Sequence, residues 1–495
     1  MIISNSNNFD TYKNTLAKIA DVHGALALMQ WDQETYMPKG SAEPRAKQIA
    51  TLSEIAHNMA TDENFYTLVQ HLKTNKTLTI WQQNNIAITY KQLERKRKIP
   101  SAFVANFSRA VSEAFEAWTT AKATNNIKLF EPHLQTIINF KRQEVDYLGY
   151  QNHPYNACIE AYDEGMTVAQ LDAIFDPLLP ALKNIIDVAK NKNIDNAFLQ
   201  NHYDTDRQWT YGLDLIKSIG FNFSTGRQDL SSHPFTTSFA SKDVRLTTRI
   251  NPTEFANMCW SCLHEAGHGL YEQGLPYEHY GLPAAEYSSL SIHESQSRFW
   301  ENCIGRSLPF WQGQYGALKN VFPASLYVIP VENFVAAINK VTPSLIRTEA
   351  DELTYHNHVF IRYTIEKEMI TGALKATEVK DRWNSLYQQY LGITPPTDTV
   401  GCLQDVHWSH GSIGYFATYS LGSIAATQLW HSLQQKHPNI IAEIANKNYS
   451  NIHSWLAKNI YAHGKLLNTN QIMQFATGEN LNCKYFLDYA VKKFK

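Results

Sequence analysis

The chain has 495 residues, a formal net charge of −2, 44% hydrophobic residues and 18% charged residues. This is the composition of an ordinary globular protein and excludes wholesale disorder. The near-neutral balance excludes the global basic footprint of a nucleic-acid binder and the signature of an acidic tail.

The length allows roughly two to four domains, or one large helical body. The first residues, Met1-Ile2-Ile3-Ser4-Asn5-Ser6-Asn7, lack a basic region followed by an apolar core, so no secretory signal is expected. No apolar stretch approaches the ~20 residues needed to span a bilayer. A cytoplasmic protein without membrane or nucleic-acid partners is therefore expected. The six cysteines show no disulfide-framework spacing and read as reduced thiols.

In chain order, residues 10–32 are apolar-periodic and end in Gln30-Trp31-Asp32. Residues 42–72 read as one long helix or a pair. Residues 78–97, 102–123, 130–147 and 167–191 continue the helical pattern. The run Arg95-Lys96-Arg97-Lys98 before Ile99-Pro100 reads as the solvated end of a helix, where cations suit the dipole. No repeat or linker divides the chain. The expected architecture is mainly α, one domain over 1–495 with two helical lobes about a cleft.

Residues 236–250 break the pattern. They are rich in β-branched residues, and Ser241-Lys242-Asp243 predicts a turn between two short strands. Asn251-Pro252-Thr253-Glu254 then predicts a helix start, with Asn251 as cap and Glu254 as a capping-box acid. Gly274 predicts its stop.

Inside that helix lies His264-Glu265-Ala266-Gly267-His268. Residues four apart share a helix face, so both imidazoles can meet one ion. Glu265 is rotated by ~100° and can stand beside the metal as a base. The small Ala266 and Gly267 leave room. Zinc suits two imidazoles and a carboxylate with an open fourth position for water, whose proton Glu265 would take. The third ligand is expected in Ser291-Ile292-His293-Glu294-Ser295-Gln296-Ser297-Arg298, the start of a second helix reaching about Ile304. Glu294 is the choice and His293 the alternative. Cys259 and Cys262 lie ~140° and ~160° round the helix from His264 and read as packing residues.

At these residues the chain resembles the carboxypeptidase Taq family of metallocarboxypeptidases. The motifs run in order: His233-Pro234-Phe235, Asp243-Val244-Arg245-Leu246-Thr247, His264 to His268, and His293 to Arg298. Ile346-Arg347-Thr348-Glu349-Ala350-Asp351 and Gly401-Cys402-Leu403-Gln404-Asp405-Val406-His407-Trp408 follow. Gln30-Trp31-Asp32 and Met37-Pro38 also resemble the family's N-terminal region. The resemblance implies a bilobed helical fold related to angiotensin-converting enzyme and neurolysin, with its metal-binding core at about 230–420. It implies removal of single residues from peptide C-termini with broad specificity, one zinc or cobalt per chain, and a homodimer.

It carries over His264, His268 and Glu294 as ligands and Glu265 as base. A reader of chain ends needs a guanidinium for the terminal carboxylate. Arg347 is the first choice and Arg245 the second, each also able to serve as a structural ion pair. His407 and Tyr415 are assigned to oxyanion stabilisation, with His410 and Tyr419 as replacements. Two other readings stand beside this one: an oligoendopeptidase on the same fold, and a helical binding protein with structural zinc.

Overall fold

The computed structural model describes residues 5–495. Met1–Ser4, and with them most of the N-terminal segment read for a signal, lie outside the described residues. The six N-terminal helices follow the apolar periodicity: α1 (Asn5–Thr35), α2 (Ala42–Ala60), α3 (Glu63–Thr74), α4 (Ile80–Arg97), α5 (Ser101–Ala123) and α6 (Glu131–Leu148). The 42–72 segment is a pair. Asp62 accepts from the Phe65 N–H at 2.8 Å and starts a new helix there. Thr79 and Gln82 form a capping box on α4. The basic run is a helix end with protein partners: Arg97 meets Glu63 at 2.7 Å, and Arg95 and Lys98 donate to the carbonyls of Ala157 and Leu148.

Apolar side chains segregate into two cores. A small one gathers Phe9, Tyr12, Phe65, Val69, Leu72, Ile86, Leu93 and Leu282 from α1, α3, α4 and one later turn. The large one runs from α5 to the C-terminus. At its centre stands the helix Ala417–Lys436, with Leu421, Ile424, Ala425 and Leu429 all inaccessible. A helix buried on nearly every side must lie inside other elements. Between the cores opens a cleft of about 1150 Å³, walled by Leu16, His23, His57 and Lys96 on one side and by His264, Glu265 and Tyr419 on the other. The body is therefore bilobed and mainly helical, as expected.

The expected small β-hairpin or sheet beside the histidine motif is a three-stranded sheet. β2 (Thr236–Ala240) and β3 (Asp243–Thr248) form the expected antiparallel hairpin, with an irregularity at Ser238 and Ala240. A third strand, β1 (Gly226–Leu230), pairs parallel to β3. Gly-Arg-Gln-Asp-Leu has no β-branched signal; pairing with β3 makes it a strand.

The motif helix spans Phe255–Gly274, beginning later than expected. Asn251 accepts from the Thr253 N–H and hydroxyl in a turn before the helix, and Glu254 makes no capping bond. Gly274 is the last helical residue rather than a left-handed stop, and the Tyr461 ring packs where its side chain would be. The second helix runs Leu290–Arg298, capped by Ser289, and continues into a wide π-turn at Phe299–Gly305. All six cysteines are free and buried. No helix among the described residues is long and apolar enough to cross a membrane.

Candidate metal centre

The i, i+4 spacing on the motif helix puts the His264 and His268 rings 4.9 Å apart. Glu294, on the second helix, brings one carboxylate oxygen to both. Its Oε2 lies 3.6 Å from His264 Nε2 and 3.5 Å from His268 Nε2. Ligand atoms of these three residues all lie within 4.8 Å of one another, which fits one small divalent cation.

The far ring nitrogens decide which lone pairs face the cluster. His268 Nδ1 is 2.9 Å from the His293 carbonyl, which only accepts, so Nδ1 carries the proton. His264 Nδ1 lies 2.9 Å from Glu301 Oε2 and donates likewise. Both Nε2 atoms are thereby left as acceptors pointing at the cluster. Burial pushes His268 down to about 3, and its stacked neighbour His293 adds to the effect, so it is neutral. His264 moves the other way despite burial, because the Glu294 and Glu301 carboxylates both act on it.

His293, the alternative third ligand, stands behind the site. Its Nε2 bonds Glu272 at 2.8 Å, and its ring stacks on His268 at 4.4 Å. Arg298 bridges the two acids, reaching Glu294 Oε1 at 2.7 Å and Glu301 Oε2 at 3.2 Å. Arg306 adds a contact of 2.9 Å to Glu301. Burial alone would raise Glu294 and Glu301. Arg298 and the histidines outweigh it and hold both well below the usual carboxylate range. The roles of Glu301, Arg298 and Arg306 escaped the sequence reading; the signal available was the i+4 step from Glu294 to Arg298 and the i+3 step from Arg298 to Glu301, and nothing comparable marks Arg306.

Glu265 is 7% exposed and lines the cleft. Burial raises its pKa, tempered by His264 and by a hydrogen bond of 2.6 Å from the Thr236 hydroxyl to Oε2. The same Thr236 hydroxyl lies 3.0 Å from the Glu265 carbonyl, so its single proton is shared between two acceptors of residue 265. Gly267 does not make room for a ligand, as the sequence suggested. A Cβ there would lie 2.6 Å from the Gln296 carbonyl oxygen, so the gap in side chain lets the two helices touch. Gly422 does the same for the central helix, 2.5 Å from Glu294 Cγ. Cys259 and Cys262 are fully buried, their thiols pushed up by burial, and stand outside the cluster.

Tyr415 and Tyr419 both line the cleft. Burial raises Tyr415 to about 12 and Tyr419 well above its ordinary value, so both hydroxyls keep their protons. His407 sits one layer back, its Nε2 3.3 Å from the Tyr419 hydroxyl, and burial drives it down to about 3. His410 is exposed and stacks near Phe115 at 5.1 Å, away from the cluster.

The two arginines do not wall the cleft. Arg347 is 5% exposed; Nε and Nη2 bond Asp405 Oδ1 at 3.0 and 2.9 Å, and Nη1 bonds the Tyr355 hydroxyl at 3.1 Å. Arg362 takes the other oxygen of Asp405 at 2.6 Å. Arg245 is paired with Asp243 at 3.1 Å and lies 4.4 Å from the Trp31 ring. Each guanidinium already has a carboxylate of this chain.

The sequence profile of the carboxypeptidase Taq (M32) metallopeptidase family matches residues 11–494. The chain belongs to this family. "Carboxypeptidase 1" of Bacillus subtilis (strain 168) is 36% identical over 97% of this chain and 96% of its own length. "Thermostable carboxypeptidase 1" of Pyrococcus furiosus is 33% identical over 98% of each. The M32 carboxypeptidase structure from Deinococcus radiodurans R1 superposes with a TM-score of 0.97, 36% identity and 99% coverage of both chains. As a member of the M32 family the protein is a metallocarboxypeptidase, a peptide hydrolase that works with a divalent metal.

Proposed function

We propose that zinc is the ion held by His264, His268 and Glu294, one per chain, with cobalt an active substitute, and that Glu265 is the base of C-terminal peptide-bond hydrolysis. The carrying observation is that both Nε2 lone pairs converge with Glu294 Oε2 while Glu301 and the His293 carbonyl fix the rings from behind. Cysteine is absent from the donor set, and two imidazoles with one carboxylate suit a catalytic zinc with an open position. When bound, the ion supplies Lewis-acid polarisation of a carbonyl and eases the ionisation of water.

The chain's own residues do the rest. Thr236 holds Glu265 Oε2, which leaves Oε1 to take a proton from water and return it to the leaving nitrogen. The raised pKa of Glu265 makes it a better base than an exposed glutamate. The Tyr415 and Tyr419 hydroxyls, protonated at neutral pH, donate toward the carbonyl oxygen as negative charge develops. His407 supports this by holding the Tyr419 hydroxyl. For the free carboxylate of the substrate we propose Arg347: Nη1 exchanges Tyr355 for the substrate while Asp405 keeps Nε and Nη2. Arg245 is second, its guanidinium being held by Asp243.

Broad specificity, a cytoplasmic homodimer and one peptidase domain with its core at about 230–420 complete the reading, supported by the family resemblance. Light scattering of the purified protein tests the dimer. Hydrolysis of one peptide with a free and with an amidated C-terminus tests the exopeptidase assignment. Equal rates on both would replace it with the oligoendopeptidase reading. Arg347→Met should abolish the preference for the free acid; a preference that persists removes Arg347 from recognition. Metal content by atomic spectroscopy decides zinc against other ions.

A further inference from the structure

The π-turn Phe299–Gly305 carries Glu301, whose carboxylate orients His264. A π-turn closes i→i+5 rather than i→i+4 hydrogen bonds, and the carbonyls near its C-terminal end need partners from elsewhere to stay in one orientation. The carbonyl next to Glu301 has them. Asn302 O accepts from the Tyr489 hydroxyl at 2.9 Å and from Lys493 Nζ at 3.2 Å. Both donors belong to the last helix, Lys484–Phe494. They are fixed in turn: Lys493 Nζ bonds the Tyr489 hydroxyl at 2.8 Å and the Glu352 carboxylate at 2.7 Å. The Glu352 side chain is 4% exposed and that of Lys493 15%, so the ion pair is shielded from solvent and its geometry is restricted.

We propose that Lys493 and Tyr489 are positioning residues for the metal centre: by pinning the Asn302 carbonyl, the C-terminal helix sets the orientation of Glu301 and through it the His264 ring. The chain of contacts runs from Lys493 and Tyr489 to the Asn302 carbonyl, across one residue to Glu301, and over 2.9 Å to His264 Nδ1. Lys493 contacts none of His264, His268 and Glu294 and is not among the residues that line the cleft. The inference rests on His264, His268 and Glu294 as the metal site.

The test uses the full-length protein and cobalt(II) or zinc(II) alone as probe. Dissociation constants by chelator competition and the cobalt(II) visible spectrum are measured for Lys493→Met, Tyr489→Phe and Glu301→Gln. Phe486→Leu, on the same helix against His356, controls for general destabilisation. Losing an outer hydrogen-bond partner of a ligand costs about 10–100-fold in metal affinity, and Glu301→Gln should show this. Lys493→Met is expected to weaken binding by roughly tenfold and shift the cobalt spectrum in the direction of Glu301→Gln, with Tyr489→Phe smaller. Phe486→Leu should lower Tm without either change. Metal affinity and spectrum unchanged in both Lys493→Met and Tyr489→Phe, while Glu301→Gln shifts them, would overturn the inference. If Glu301→Gln also changes nothing, the Glu301–His264 contact does not govern the metal and the inference falls with it; a parent protein that binds neither ion is what fails the metal-site reading. If Lys493→Met does not fold, Tyr489→Phe, which removes one hydroxyl, decides alone.

Discussion

The two walls of the cleft are held by different physics. The N-terminal wall, α1 to α4, rests on a core of ten buried apolar side chains. The opposite wall is fastened by directional contacts. Thr236 grips Glu265, Glu301 and the His293 carbonyl grip the two imidazoles, and Arg298 grips two carboxylates. Groups that must hold a metal within a few tenths of an ångström need hydrogen bonds and ion pairs from rigid elements. A wall that only receives a peptide chain can rest on non-directional burial. Small cores open locally more easily than large ones. The N-terminal wall is therefore the element expected to move on substrate entry, and the metal wall the fixed one.

The strongest test of the fixed wall is chemical. Glu265→Gln should lower kcat/KM by about 10²–10⁴-fold, ~3–5 kcal/mol of barrier, while metal content and Tm stay unchanged. Turnover at the parent rate would sink Glu265 as base. On the other wall, Leu72→Ala should cost about 2–5 kcal/mol. Hydrogen exchange should rise over α1–α4 alone, with the motif helix as protected as before. Uniform loss of protection across the chain would erase the contrast between the walls.

A smaller effect is expected where the central helix touches Glu294. Gly422→Ala puts a methyl 2.5 Å from Glu294 Cγ. It should cost about 1–3 kcal/mol and weaken metal binding together, because the only ways to relieve the clash move Glu294 or its helix. Loss of stability with metal affinity intact would show that the contact is not tight.

The smallest effect is a slope with pH. Glu366, on the helix Tyr355–Thr371, accepts from the Tyr155 hydroxyl, Trp408 Nε1 and the Gly414 N–H, and so anchors the turn between His407 and Tyr415. Burial outweighs these bonds and raises its pKa to about 7. In the unfolded chain it titrates near about 4.3. Between those values the folded state holds a proton that the unfolded state has lost. Stability is therefore full below about pH 4.3 and falls as pH rises toward 7, by at most about 1.4 kcal/mol per pH unit. Glu366→Gln should remove that part of the slope in urea melts at stepped pH; an unchanged slope refutes the assignment.

Local signals carried far in this chain. Helix positions followed from the 3.6-residue period, whereas the break at Asp62 and the capping box at Thr79 came to light only in the structure, where side chains bond N–H groups three residues on. The proposed ligand pair His264 and His268 is a property of one helix, so its spacing alone places both rings on one face. The start at Phe255 was missed because Asn251 can bond a turn as well as a helix end, and nothing local chooses between them. β1 was missed because its strand character comes wholly from pairing with β3.

What the sequence determined by itself was therefore the helical body, the hairpin, the histidine pair with its neighbouring glutamate, and a second helix carrying the acid. Each depends on groups within a few residues of one another, where backbone geometry fixes distance. What only the tertiary structure decided was which groups surround them. Glu294 rather than His293 faces the imidazoles, because the second helix presents position 294 to them and turns position 293 onto Glu272. Thr236 reaches Glu265 across 29 residues, and Asp405 occupies Arg347 across 58. Such partners are set by packing of distant segments, and no periodicity along the chain encodes their meeting.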